Sequence, residues 1–302
     1  MKTKKWNNEF LSIMKTTKNL SEKSIIAYHS DLEDYFNFIQ RKKRFFFHQE
    51  MIYQYLDYLQ NQKKLKDSTI IRKMTTLKMY YSFLEDCHNY KNPFYKIKIK
   101  FKKEKKLPKI LTREEIKKIL EVLYNALNDK NTYQKFESYR DLALIDLLIS
   151  TGIRIGEACK ITLLDIQKDK TILIHGKGRK QRMIYISSDK TWQNLNQYIF
   201  IRKERKCNHD ILFINKYGNK LSINGIDNIY RKYKKLSNIN PQSTPHFLRH
   251  TFATNLLSNG ADIRSVQELL GHTNISTTQI YTEVTANRKV EVLNKFNFRN
   301  EL

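Results

Sequence analysis

Apolar residues recur at spacings of three and four through the first third of the chain. Ile25, Leu32, Tyr35, Phe36 and Ile39 fall on one side of a segment that Ser21 can cap. A second segment covers residues 51–59. Asp67 or Ser68 opens a third, whose stripe is Ile71, Met74, Leu77, Tyr81 and Leu84. No strand pattern precedes Pro93, so residues 1–95 are predicted to form a small helical domain with basic residues on its outer faces. Residues 96–109, "KIKIKFKKEKKLPK", hold eight lysines and one acid, Glu104, and read as a Lys-rich linker over 96–111. An extended lysine strap of this kind also suits a segment laid along phosphates.

Beyond the linker the period changes twice. "TREE" at 112–115 is a capping box that starts a helix, and residues 139–158 form a long, largely buried helical region. "KTILIHGKGRKQRMIYIS" then alternates apolar residues on both sides of a glycine-rich basic turn, the mark of a β-hairpin. "DILFI" at 210–214 suggests a further short strand. From Ile223 onward the pattern is helical again, through 244–253, "ADIRSVQELLGH" and a last segment near 290–296. Residues 112–302 are therefore predicted as a second domain, mainly α with a small β-sheet.

Charge narrows the partner. The 302 residues contain 56 Lys+Arg against 30 Asp+Glu, a net charge of +26, while 40% are hydrophobic, enough for folded cores. That excess points first to nucleic acid and second to an anionic membrane. Codon bias toward lysine is the plainer source of part of it. Cys87, Cys159 and Cys207 are widely separated and form no CxxC pair, which suits reduced thiols. The N-terminus lacks an apolar signal core, and "LALIDLLI" is too short to span a bilayer and is interrupted by Asp146. A cytoplasmic protein with a nucleic-acid partner is the expectation.

Candidate chemistry begins at "TPHFLRHTFA". His246 and His250 stand four apart, as zinc ligands do on a metalloprotease helix, but Phe247 occupies the place of the general-base Glu and Arg249 would oppose a dication. An anion fits better. Thr244 and Pro245 suit the N-cap and first helical position, His246 lies in the first turn, and Arg249 shares its face with a planar fork for two oxygens. His250 reads as a supporting or packing residue. Arg154 follows a break in an apolar helix, where Glu157 offers the plain ion-pair explanation. Lys177 sits between glycines in the hairpin turn, which lacks P-loop spacing, and a solvated lysine is the simpler view of it. His272 follows a glycine, and Tyr281, nine residues later, is one of 18 tyrosines.

Together these motifs resemble the tyrosine recombinases of the lambda-integrase family, and within it the Xer type. "TGIRIGE" looks like the first arginine box, "GKGRKQR" like the hairpin lysine, "HFLRH" like the His-x-x-Arg-His box, and "LLGH" followed by "IYTEV" like the final His and nucleophilic Tyr. Order and spacing agree over nearly the whole chain. Gly156 stands where Ser is usual, and Glu283 where a His often follows the tyrosine; neither is a catalytic position.

The resemblance implies an N-terminal SAM-like core-binding domain and a C-terminal catalytic domain that together clamp DNA. It implies strand cleavage by Tyr281 through a 3′-phosphotyrosine, with Arg154 and Arg249 clamping the non-bridging oxygens. His272 would donate a hydrogen bond, His246 would act as base or hydrogen-bond partner, and Lys177 would protonate the leaving 5′-oxygen. It implies no metal or nucleotide cofactor, and four protomers, identical or shared with a paralogue, on two duplexes. Residues after Tyr281 either pack on their own subunit or, as in the family, dock on a neighbour. A mobile-element integrase or invertase, a type IB topoisomerase with related chemistry, and a non-catalytic DNA-binding protein are the alternatives. The missing arm-binding domain, the "HFLRH" and "LLGH" boxes, and the full set of six catalytic-type residues weigh against them in turn.

Overall fold

The computed structural model describes residues 2–18, 20, 22–42, 48–95, 97, 110–128, 132–176, 181–205, 207–271 and 290–302. The chain divides into two compact units, Met1–Lys105 and Lys106–Leu302.

The first unit contains α1 (Lys2–Thr17), α2 (Glu22–Lys42), α3 (Gln49–Asp57) with a π-helical turn behind it (Tyr58–Gln62), and α4 (Asp67–His88). Its core joins Phe10 and Met14 of α1 to Leu32, Tyr35 and Ile39 of α2, Tyr55 of α3, and Leu77, Tyr81 and Leu84 of α4. Sequence periodicity places α2, α3 and α4 well but passes over α1, whose Trp6, Phe10 and Met14 at four-residue spacing lie among lysines and asparagines. The stripe of α4 starts one residue earlier than predicted: Ile70 is fully buried, and Ile71 only partly. Asp67 lies in the first turn behind Lys66 as N-cap, and Ser21 lies outside the described residues. Within this core the fully buried Asp31 accepts from Arg72, from Lys73 at 3.1 Å and from Thr76 at 3.0 Å.

The second unit is organised around α6 (Thr132–Thr151). From Leu142 to Thr151 every α6 residue is buried, which requires cover on all sides. The cover includes α5 (Arg113–Asn125), α8 (Asp189–Lys203) and α10 (Pro245–Ser258). The capping box forms as read: Thr112 Oγ1 accepts from Glu115 N at 3.2 Å and Glu115 Oε2 accepts from Thr112 N at 2.9 Å. The helical region 139–158 is in two pieces: α6 ends at Thr151, Gly152 takes φ +62°, and α7 (Ile155–Ala158) follows. The hairpin is β1 (Thr171–His175) against β2 (Gln181–Tyr185), antiparallel, with Ile172 opposite Ile184 and Ile174 opposite Arg182. Residues 177–180 of its turn lie outside the described residues.

The strand expected at "DILFI" does not form. Ile211 and Ile214 make only isolated bridges, to Thr162 and Lys220. Side chains of α8 take the carbonyls a ladder would need: Arg202 Nε donates to Ile211 O at 3.0 Å, and Tyr198 Oη to Leu212 O at 3.0 Å. The run is apolar because it is buried, with Leu212, Phe213 and Ile214 fully enclosed.

The unit continues with α9 (Ile223–Leu236), α10 and α11 (Ile263–Leu270), then helical residues 290–296 and a 3₁₀ turn (Phe298–Glu301). Residues 290–302 pack on their own unit. Val292 and Leu293 join Phe252, Leu256 and Leu269 in one cluster, and Arg299 enters the core, donating to Asp146 at 2.7 and 3.0 Å. No helix among the described residues is long and apolar enough to cross a membrane.

Candidate functional site

The break after α6 builds one wall of the site. Gly152 adopts φ +62°, and a Cβ there would come within 2.5 Å of the Phe252 ring, so both conformation and space demand glycine. The turn leaves the Gly152 carbonyl facing α10 and delivers Arg154 in extended backbone just before α7.

Arg249, on the buried side of α10, is only 8% exposed. Its Nη1 donates to Gly152 O at 2.7 Å and its Nη2 to Leu270 O at 2.6 Å. Two backbone carbonyls thus fix the guanidinium, and among the described residues no carboxylate pairs with it. Leu270 ends α11, and Gly271 caps that helix at φ +64°. The carbonyl that orients Arg249 therefore immediately precedes the "GH" of the "LLGH" box.

Around Arg249 stand two further guanidiniums and one acid. Glu157 Oε1 accepts from Arg154 Nη1 at 2.9 Å and from Arg182 Nη1 at 3.0 Å. Its Oε2 accepts from the Arg154 backbone N at 3.0 Å and from Arg182 Nη2 at 2.8 Å. Burial alone would raise the Glu157 carboxyl, but the bonds from Arg182 and Arg154 outweigh it and hold it at about 2. Arg249 is also lowered, to about 10, but here against its charged form: burial acts first and then the charge of Arg154, with Arg182 adding to it and Glu157 opposing. Three cations share one anion, so the group carries a net charge of +2 and is suited to bind an anion.

Arg154 and Arg249 are thereby brought into one electrostatic group. His246 lies one turn before Arg249 on α10 and is exposed, as is His250, which packs into no core. Thr244 takes the N-cap position and Pro245 the first helical one, although the threonine side chain makes no capping bond. Among the described residues no three His, Cys, Asp or Glu side chains cluster as metal ligands would. Lys177, His272 and Tyr281 lie outside the described residues. Glu157 answers to its sequence reading as the partner of Arg154. Arg182 belongs to the hairpin motif "GKGRKQR", which by itself assigns it no role. The signal for it was strand alternation: Arg182 shares a face with the buried Ile184, and a cation on that face needs a partner.

Comparison with known proteins agrees over both units. Residues 109–288 match the model "Phage integrase family", and residues 8–87 match "Phage integrase, N-terminal SAM-like domain". A tyrosine recombinase of Agathobacter rectalis is 36% identical over 95% of this chain and 94% of its own length. Tyrosine recombinase XerC of Bacillus subtilis is 35% identical over 91% of this chain and 90% of its own. Tyrosine recombinase XerD of Staphylococcus haemolyticus is 36% identical over 96% and 98%. Among solved structures, the XerH site-specific recombinase bound to its palindromic difH substrate superposes with a TM-score of 0.72, at 24% identity over 94% of this chain and 83% of that one. Motif order, helical architecture and relatedness along the full length converge: the chain belongs to the phage integrase family of tyrosine recombinases.

Proposed function

We propose that this tyrosine recombinase cuts and rejoins duplex DNA at specific sites in the manner of Xer enzymes, in the resolution of chromosome or plasmid dimers. The observation that carries the reading is Arg249, buried and fixed on two carbonyls, with Arg154 and Arg182 beside it and one carboxylate among the three. A phosphodiester supplies the missing negative charge, and its two non-bridging oxygens suit the planar forks of Arg154 and Arg249. The XerH structures hold difH DNA, and the curated relatives are named XerC and XerD, which favours DNA as the partner.

In this reading the Tyr281 oxygen attacks phosphorus and passes its proton to His246. The P–O bond to the 5′-oxygen breaks, and Lys177 gives that oxygen a proton. His272 and the two arginines stabilise the charge that builds on the non-bridging oxygens. One phosphoester bond is exchanged for another, so no nucleotide is consumed, and a 5′-hydroxyl from a second strand reverses the step. Residues 1–95 bind the DNA core, 96–111 link, and 112–302 carry the chemistry. The working assembly is a tetramer on two duplexes, of this chain alone or with a paralogue, in the cytoplasm.

The test is a nicked suicide DNA duplex carrying a candidate recombination site, incubated with a metal chelator. Wild type is expected to form a covalent protein–DNA adduct and Tyr281→Phe none. An adduct with the phenylalanine variant moves the nucleophile elsewhere. DNA binding without any adduct turns the reading to a non-catalytic DNA-binding protein.

A further inference from the structure

The geometry points to Arg182 as a positioning residue for the phosphate clamp: its fork immobilises Glu157, and Glu157 in turn presents Arg154 beside Arg249. The inference rests on the reading above that Arg154 and Arg249 hold the scissile phosphate.

Arg182 grips both oxygens of Glu157, at 3.0 and 2.8 Å, in the two-pronged arrangement that fixes orientation as well as distance. The same two oxygens receive the side chain and the backbone N–H of Arg154. Without Arg182, Arg154 would keep only a partner three residues away, and its own side chain is 41% exposed. A single bond from a half-exposed arginine fixes its orientation less firmly than a two-pronged grip would. Arg182 also lies close to the element that orients Arg249. A Cβ on Gly271 would lie 3.1 Å from Arg182 Cδ and Nη1, and Gly271 follows the carbonyl on which Arg249 rests. One side chain on β2 therefore holds the acid that pairs with Arg154 and leaves no free space for a side chain at the cap that follows the Leu270 carbonyl.

Stability alone is a poor reason for this choice. Arg182 faces the interior, its Nε is buried without a hydrogen-bond partner among the described residues, and it adds a third cation to a crowded group. A neutral residue on this face of the strand, with a neutral partner at 157, would avoid all three costs.

The test is single-turnover cleavage of the nicked substrate, in one version with a normal scissile phosphate and in another with a methylphosphonate, which replaces a charged non-bridging oxygen by methyl. With the normal phosphate, Arg182→Ala should slow cleavage by about 10- to 100-fold, the scale of a mispositioned group, while DNA affinity stays within about threefold. Arg182→Lys should restore little, because an ammonium cannot span both carboxylate oxygens. On the methylphosphonate the penalty should shrink toward unity, since less charge then needs clamping. If Arg182→Ala does not fold by circular dichroism, Arg182→Lys carries the same two-substrate comparison. Wild-type rates in both variants, full rescue by lysine, or an equal penalty on both substrates would overturn the role. A wild type that forms no adduct overturns the recombinase reading and this role together, whereas an active wild type with unimpaired variants overturns this role alone.

Discussion

Of the four arginines buried among the described residues of the second unit, Arg299 and Arg249 have surroundings that differ in kind. Arg299 is 2% exposed and donates twice to Asp146, at 2.7 and 3.0 Å, with Tyr124 beside it. Burial works against its charge, but the Asp146 carboxylate outweighs burial and raises its pKa. Arg249 is 8% exposed and meets two carbonyls, and burial with neighbouring cations lowers it to about 10. The first is a closed pair that ties the chain end to the core. The second is a charge held still on carbonyls, with no carboxylate bonded to it among the described residues. Arg202 is also buried on backbone carbonyls with no carboxylate partner among the described residues, so what sets Arg249 apart is the company of two further cations, Arg154 and Arg182, around a single acid.

Truncating each arginine gives the widest separation between the two. Arg249→Ala should lower single-turnover cleavage by about 10²- to 10³-fold, the usual cost of one charge-stabilising donor. Its stability should stay within about 1 kcal/mol of wild type, because two carbonyls lose donors while a buried charge is relieved. Arg299→Ala should do the reverse. It strands Asp146, which among the described residues keeps Thr191 at 3.1 Å and Asn194 at 2.7 Å, and should cost about 3 kcal/mol. Cleavage per folded molecule should stay within a few-fold. Urea unfolding and suicide-substrate kinetics on both variants decide it. An unstable Arg249→Ala with a robust Arg299→Ala would reverse the assignment.

Acid sharpens the same contrast at intermediate size. Glu157 sits at about 2 when folded, against an ordinary 4.5. A carboxyl depressed in this way adds stability that is complete above about pH 4.5 and drains away as pH falls toward about 2. The contribution lost over that window is up to about 3 kcal/mol. Glu157→Gln should therefore start less stable at pH 7 and lose less than wild type between pH 5 and 3 in denaturant titrations. Parallel curves would mean that the carboxylate is not held by Arg182 and Arg154 as described.

Local features of both units were legible in the sequence, and long-range partners were not. The stripes of α2 and α4, the box at Thr112 and the alternation of the hairpin are patterns of near neighbours, and each is realised. The Arg154–Glu157 pair also follows from spacing, being three residues apart. Arg249 finds its carbonyls 97 and 21 residues away, and Arg299 reaches an acid 153 residues back, which no periodicity conveys. Asp146 read only as an interruption in an apolar run, whereas it is the anchor of the chain end. α8 escaped notice because Leu195 and Tyr198 are its only large apolar residues fully buried, among amides and lysines. Arg182 became meaningful only once the register placed it on the inner face of β2.

The smallest expected effect asks what sets Arg154: the backbone of α7 or the contacts of Glu157. Gly156 lies between the two, and its φ is outside the left-handed region that would demand glycine. A Cβ there meets only Ile223 Cδ1, at 3.6 Å, an ordinary contact. Gly156→Ser should therefore leave stability within about 0.5 kcal/mol, with any gain coming from the lower entropy cost of ordering serine in a helical turn. Cleavage should stay within about twofold by the suicide-substrate assay. If it falls more than tenfold while the melting curve is unchanged, the flexibility of α7 governs Arg154. The clamp would then depend on the turn itself, and the carboxylate gripped by Arg182 would be secondary.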